Sequence, residues 1–90
     1  MVWQIKFTEK ANKAFSKLDK AIQRRVLDKL KEISKHENPK DVGKALVGNL
    51  SGLWRYRVGD YRIVCSIEQT EIVIFVVDID PVSYTHLTLP

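Results

Sequence analysis

Apolar and polar residues alternate at the start of the chain, as they do in a strand with one buried face. Trp3, Ile5 and Phe7 fall on one side of residues 2–7, and the polar residues between them fall on the other. After residue 8 the apolar spacing changes to three and four residues, which is typical of an amphipathic helix. The chain is therefore expected to begin with a strand that leads into helical structure.

Two helices are predicted between residues 8 and 38. Thr8 is suited to cap the first helix and Asp19 the second, because their side-chain oxygens can accept a free backbone N–H. The apolar stripe of the first helix consists of Ala11, Phe15 and Leu18. That of the second consists of Ile22, Val26, Leu30 and Ile33. The short connection predicts an antiparallel helical hairpin that ends before Pro39.

Three strand-like runs follow the polar segment 36–52. Residues 53–58 and 61–67 alternate, whereas residues 71–79 are almost continuously apolar and are expected to form a central strand buried on both faces. Gly59 and Asp60 match a two-residue hairpin turn of type II′. These patterns predict an α+β domain with an N-terminal strand, a helical hairpin and a three-strand antiparallel meander.

Composition limits the kind of protein. Ninety residues make one domain, and 44% hydrophobic and 29% charged residues are typical of a globular protein. No apolar run reaches the roughly 18 residues of a membrane span, and the first residues do not resemble a secretory signal. A single cysteine, Cys65, excludes an internal disulfide and a cysteine-rich zinc site. No cofactor or metal is expected, and a cytoplasmic location is predicted.

Positive charge is concentrated in the first half of the chain. Residues 1–40 contain 11 Lys/Arg and 5 Asp/Glu, a balance of +6, whereas residues 41–90 contain 4 and 6, a balance of −2. A basic half can bind nucleic acid or an acidic protein partner, and it can also be a solvated helix face. The basic residues of the helical hairpin include Lys10, Lys13, Lys17, Lys20, Arg24 and Arg25.

The predicted hairpin at Gly59 gathers arginines on one face of the sheet. In this register Arg57 lies directly opposite Arg62, with Arg55 on the same face, while Tyr56 and Cys65 face the core. Like charges opposite each other destabilise a sheet, and the same-face alternation of these strands contains no acidic residue. A bound phosphodiester would complete such a site.

A purely structural alternative remains open for these arginines. They can extend into solvent, or they can pair with carboxylates from nearby loops. The candidate carboxylates are Asp41, Asp60 and Glu68.

The run from Lys44 to Val64 resembles the signature of RelE-type toxins, and its most specific part is WRYRVGDYRI, residues 54–63. The resemblance covers residues 2–80 and assigns residues 1–80 to a RelE/ParE-like toxin domain. It implies a ribosome-dependent endoribonuclease that cuts messenger RNA through attack of the ribose 2′-OH, without a metal. The implied partners are a cognate antitoxin, the ribosome and messenger RNA, with no membrane and no small-molecule cofactor.

The resemblance also implies roles for individual residues. Arg57 and Arg62 match catalytic positions, while Arg55 and Lys44 are assigned to RNA binding. Arg57 is a poor general base, because arginine stays protonated at any working pH, so its expected role is electrostatic.

Residues 81–90 depart from the family, which usually continues with a basic stretch and a tyrosine. No Lys or Arg follows Arg62, and Tyr84 does not align cleanly. The string PVSYTHL resembles the translation of an adaptor used in sequencing libraries, so this tail is expected to be an artefact joined to a toxin domain. Two other functions therefore remain open: a ParE-like toxin directed at DNA gyrase, and a catalytically incomplete module that binds an antitoxin.

Overall fold

The computed structural model describes residues 2–82, which form two helices and one five-stranded sheet. The elements in chain order are β1 (Gln4–Phe7), α1 (Glu9–Ser16), α2 (Lys20–Ser34), β2 (Lys44–Ala45), β3 (Leu53–Val58), β4 (Tyr61–Glu68) and β5 (Val73–Pro81). Short 3-10 helices occupy Pro39–Val42 and Gly48–Leu50. The predicted α+β class is confirmed. Most of the tail predicted at residues 81–90, including Tyr84, lies outside the described residues.

The sheet has the strand order β1-β5-β4-β3-β2. Strands β2 to β5 pair in an antiparallel manner, whereas β1 pairs with β5 in parallel, with Gln4 opposite Val73. Strand β5 thus lies inside the sheet, as its apolar run predicted. Strand β2 was not predicted, because two residues are too few for an alternation pattern to be detected.

Both helices begin at the predicted caps. The Thr8 hydroxyl accepts from the Ala11 N–H at 3.2 Å, and the Asp19 carboxylate accepts from the Ile22 N–H at 3.3 Å. The Thr8 hydroxyl also lies 3.2 Å from the carbonyl oxygens of Val76 and Val77. This cap therefore fixes the start of α1 against β5 as well as satisfying the helix end.

The core lies between the helices and one face of the sheet. Its helical contributors are Ala11, Val26, Leu30 and Ile33, and its sheet contributors include Tyr56, Ile63, Cys65, Ile74 and Val76. This confirms which face of the β3–β4 hairpin points inward. Among residues 2–82, no helix is long and apolar enough to cross a membrane.

Candidate functional site

The β3–β4 hairpin has the predicted register. Gly59 adopts a φ of 56°, which glycine tolerates without a steric penalty, and the tight turn places Arg57 opposite Arg62 and Arg55 opposite Val64. The Arg57 Nε donates a hydrogen bond to the Gly59 carbonyl at 3.1 Å, which directs this exposed side chain along the turn. Three guanidinium groups therefore lie on the sheet face that the helices do not cover.

A cleft of about 360 Å³ opens beside these arginines. Its lining residues are Lys29, Val42, Lys44, Arg55, Tyr56, Arg57, Arg62 and Val82. All four residues predicted for the site, Lys44, Arg55, Arg57 and Arg62, meet here. Five of the eight lining residues are cationic and none is acidic, so the cleft is suited to an anionic ligand.

Two elements bring lysines to the arginines. Strand β2 pairs Lys44 with Arg55, which places a fourth cation next to β3. Helix α2 supplies Lys29, whose side chain is 32% exposed. Its Nζ atom forms an ion pair with the Glu32 Oε2 at 3.9 Å. Lys29 was missed from the sequence, where it is one of several basic residues beside the apolar stripe of the helix. Only the packing of α2 against the sheet distinguishes it from the others.

Tyr56 connects the cleft to the core. Its hydroxyl donates a buried hydrogen bond to the Pro39 carbonyl at 2.8 Å, and burial raises the pKa of this phenol. Gly43 passes so close to the ring that a Cβ atom there would lie 2.7 Å from the Tyr56 Cε2. Tyr56 thus fixes the segment that leads directly into Lys44.

The expectation that no carboxylate shares the arginine face is wrong for the complete sheet. Strand β5 continues beyond residue 79, where the apolar run ended, and places Asp80 directly opposite Arg62. The Arg62 Nη2 lies 3.6 Å from the Asp80 Oδ2. A register irregularity beside Val64 and Cys65 separates the two halves of the β4–β5 pairing, so simple alternation could not predict this contact.

The partners proposed from nearby loops were also wrong. No ion pair joins Arg55, Arg57 or Arg62 to Asp41, Asp60 or Glu68 within residues 2–82. The carboxylate of Glu68 instead accepts a hydrogen bond from the Ser66 hydroxyl at 3.1 Å.

Other reactive groups lie outside the cleft. Cys65 is fully buried, and burial raises the pKa of its thiol to about 12, so it is a core residue rather than a nucleophile. The described residues 2–82 contain no cluster of three side chains suited to hold a metal ion.

Residues 5–83 match the model of a family described as the ParE toxin of the type II toxin–antitoxin system parDE. No curated protein matches the sequence significantly.

Solved structures share the fold over nearly the whole described chain. The crystal structure of the RelBE2 toxin–antitoxin complex from Mycobacterium tuberculosis matches with a TM-score of 0.82 and 26% identity, covering 90% of this chain and 92% of that chain. The archaeal RelE–RelB complex from Pyrococcus horikoshii OT3 matches with a TM-score of 0.71 and 28% identity, covering 91% and 97%. A mutant of E. coli toxin RelE, solved in the free state, shares the fold at 20% identity, with a TM-score of 0.76 and coverage of 97% and 90%.

Proposed function

The chain belongs to the RelE/ParE superfamily of toxins from type II toxin–antitoxin systems, and we propose that it is a ribosome-dependent endoribonuclease that cuts messenger RNA. The observation that carries this proposal is the cleft in which Lys29, Lys44, Arg55, Arg57 and Arg62 converge without an acidic lining residue. Ribosomes and messenger RNA are cytoplasmic, so the proposed activity belongs to that compartment.

The proposed reaction is a metal-independent transesterification. The ribose 2′-oxygen bonds to phosphorus to give a 2′,3′-cyclic phosphate, the bond to the 5′-oxygen breaks, and the leaving 5′-oxygen takes a proton from water. Negative charge accumulates on the non-bridging oxygens during the attack. Fixed cations beside those oxygens lower the barrier, because they need little reorganisation as the charge develops. Since the nucleophile is a 2′-OH, this chemistry selects RNA over DNA.

The cations of the cleft have separate proposed roles. Arg55 and Lys44, which are neighbours across β3 and β2, hold phosphates of the RNA backbone. Arg57 and Arg62 contact the phosphate that is cleaved and stabilise the charge that develops on it in the transition state. Neither arginine takes the proton of the 2′-OH, because guanidinium stays protonated at neutral pH, and water receives that proton instead.

An antitoxin is the proposed protein partner. The matched structures from M. tuberculosis and P. horikoshii are toxin–antitoxin complexes, which supports a protein inhibitor for this chain as well. The exposed lysines of α1 and its C-cap, which include Lys10, Lys13 and Lys17, suit an acidic partner or phosphate contacts.

We also propose that residues 1–80 are the toxin domain and that residues from about Pro81 onward are not native. The native tail would then supply the basic stretch and tyrosine expected of the family. Resequencing of the native locus tests this division, and an uninterrupted reading frame that encodes residues 81–90 would contradict it.

Two other functions remain candidates. A gyrase-directed toxin has the same fold, and the matching family model is named for ParE. The chain would instead be an antitoxin-binding module if the proposed replacement of its native tail leaves it unable to cut RNA.

Primer extension on a translated messenger, after brief expression of the protein, tests the proposed function. Purified ribosomes and naked RNA are compared, both with the present chain and with the native tail restored. The proposal is supported if the cuts fall within codons and appear only when ribosomes are present. If neither form cuts and DNA gyrase is inhibited instead, the endoribonuclease proposal is wrong.

Substitutions in the cleft test whether its residues carry out the cleavage. Arg62→Ala in the chain with the native tail should abolish both cutting and toxicity while the protein remains folded. Lys31→Ala is the control, because it also removes one positive charge, but from an exposed position of α2 that does not line the cleft. Full toxicity of Arg62→Ala would show that the site is assigned wrongly.

A further inference from the structure

Three charged residues form a row across the sheet face that carries the cleft. Arg57 on β3 lies opposite Arg62 on β4, and Arg62 lies opposite Asp80 on β5. The Arg62 side chain is only 18% exposed, compared with 35% for Asp80. Arg62 therefore lies between a like charge on one side and an opposite charge on the other.

Arg62 depends on this carboxylate for its neutralisation. A largely buried guanidinium next to another guanidinium is unfavourable unless an anion balances it. Asp80, 3.6 Å away, is the carboxylate that forms an ion pair with Arg62 within residues 2–82. The Arg62 Nε is buried without a hydrogen-bond partner in the same part of the chain. The Nε–H of Arg62 is thus left without an acceptor, whereas its Nη2 is held by the Asp80 carboxylate.

Asp80 is held in a charged neighbourhood of its own. Asp78 precedes it on the same strand and forms a 3.5 Å ion pair with Lys10 of α1. Asp78 and Asp80 line a groove together with Lys10 of α1. The other charged or titratable residues that line this groove are Lys13, Lys17 and Tyr61. Burial, followed by the charge of Asp78, raises the pKa of the Asp80 carboxyl, and Arg62 and Lys10 only partly oppose this shift.

We propose that Asp80 is the internal counter-ion of Arg62: it positions the guanidinium beside Arg57, and an RNA phosphate must displace it in order to bind Arg62. Asp80 is thus a positioning residue that competes with the ligand for the same cation. The inference rests on the proposed function, because it identifies the contact that RNA exchanges when it enters the cleft.

The competition has opposite effects on binding and on turnover. With Asp80→Asn, the phosphate no longer competes with a carboxylate, so RNA affinity rises by about threefold to tenfold. Arg62 also loses the partner that orients it, so cleavage of ribosome-bound messenger RNA at saturation slows by about tenfold. A residue with only a structural role would not tighten binding while slowing the reaction.

The same exchange makes RNA binding depend on pH. As the pH falls through the raised pKa of Asp80, its carboxyl becomes neutral and stops competing for Arg62. The affinity of the unmodified protein therefore increases toward acid, and Asp80→Asn removes most of this increase. Asp80→Glu keeps an ionisable group and retains a pH response, although its longer side chain orients Arg62 differently.

Fluorescence anisotropy with a labelled RNA hexamer, whose 2′-hydroxyls are O-methylated to prevent cleavage, tests the inference between pH 4.5 and 8. The variants are Asp80→Asn, Asp80→Glu, Arg62→Ala and the double variant with Asp80→Asn and Arg62→Ala, each checked for its native circular dichroism. Glu71→Gln is the matched control, because it removes one exposed carboxylate in the β4–β5 connection away from the cleft. Asp80→Asn should bind more tightly than the unmodified protein, and Glu71→Gln should not.

Each result is decisive. If Asp80→Asn binds no more tightly, or keeps the full pH response, the inference is overturned and the proposed function is unaffected. If Asp80→Asn still strengthens binding in the Arg62→Ala background, Asp80 acts on the ligand without Arg62, and the inference is again wrong. If the unmodified protein binds no RNA hexamer at any pH, the inference is overturned, whereas the ribosome-dependent activity stands or falls with the primer-extension experiment.

Discussion

Arg57 and Arg62 lie directly opposite each other on adjacent antiparallel strands, on the sheet face away from the helices. Arg57 is exposed and makes one hydrogen bond to the turn, whereas Arg62 is largely buried and paired with Asp80. The two guanidinium groups repel each other, so this arrangement costs stability that a bound anion would recover.

Replacement of Arg57 separates its binding role from its structural role. Arg57→Ala should leave the free energy of unfolding unchanged or raise it by up to about 0.5 kcal/mol, because a like-charge contact is lost. RNA affinity should fall about fivefold to tenfold, as one phosphate contact disappears. Urea unfolding and anisotropy measure the two effects, and a loss of stability above about 1 kcal/mol would show that the arginine supports the fold.

Lys29 should behave as a phosphate-binding residue although it lies on a helix. Lys29→Ala should lower RNA affinity and reduce the slope of log affinity against log salt by about 0.7, which corresponds to the loss of one phosphate contact on single-stranded RNA. Lys31→Ala, on the same helix but outside the cleft, is the control. If log affinity depends on log salt with the same slope in both variants, Lys29 does not contact the RNA backbone.

The buried hydrogen bond of Tyr56 should contribute measurably to stability. Tyr56→Phe leaves the Pro39 carbonyl without its 2.8 Å donor and should cost about 1–3 kcal/mol of unfolding free energy. Tyr61→Phe is a suitable comparison, because Tyr61 is only half-buried. A Tyr56→Phe variant as stable as the original protein would mean that water replaces the phenol.

Gly43 should be required by close packing rather than by its backbone angle. A Cβ atom at this position would lie 2.7 Å from the Tyr56 ring, so Gly43→Ala should destabilise the protein by about 1–3 kcal/mol. The second substitution Tyr56→Leu should make the added methyl group less costly, and a double-mutant cycle in urea measures this coupling. Additive effects would contradict the contact.

Cys65 should be protected from thiol reagents as long as the protein is folded. Its pKa of about 12 exceeds the ordinary thiol value, so the folded state retains a proton that the unfolded state loses above roughly pH 8.5. Stability from this group is therefore present below that pH and is lost as the pH rises further. Cys65→Ala should flatten the loss of stability between about pH 8 and 10, and rapid native labelling at the lower pH would contradict its burial.

The sequence by itself determined the local elements and the identity of the cations. Alternation at residues 53–58 and 61–67, with a glycine turn between them, determined the register that places Arg57 opposite Arg62. The caps at Thr8 and Asp19 and the apolar stripes of both helices were predicted for the same reason. Each depends on residues a few positions apart, whose geometry the backbone fixes.

Only the tertiary structure decided which distant residues join the cleft and which oppose it. The parallel pairing of β1 with β5, the two-residue strand that carries Lys44, and the approach of Lys29 depend on packing between segments far apart in sequence. Asp80 was missed because an irregular β4–β5 register separates it from any simple alternation. Sequence patterns report contacts along one strand or helix, whereas the ion pair with Arg62 depends on how two strands align across the sheet.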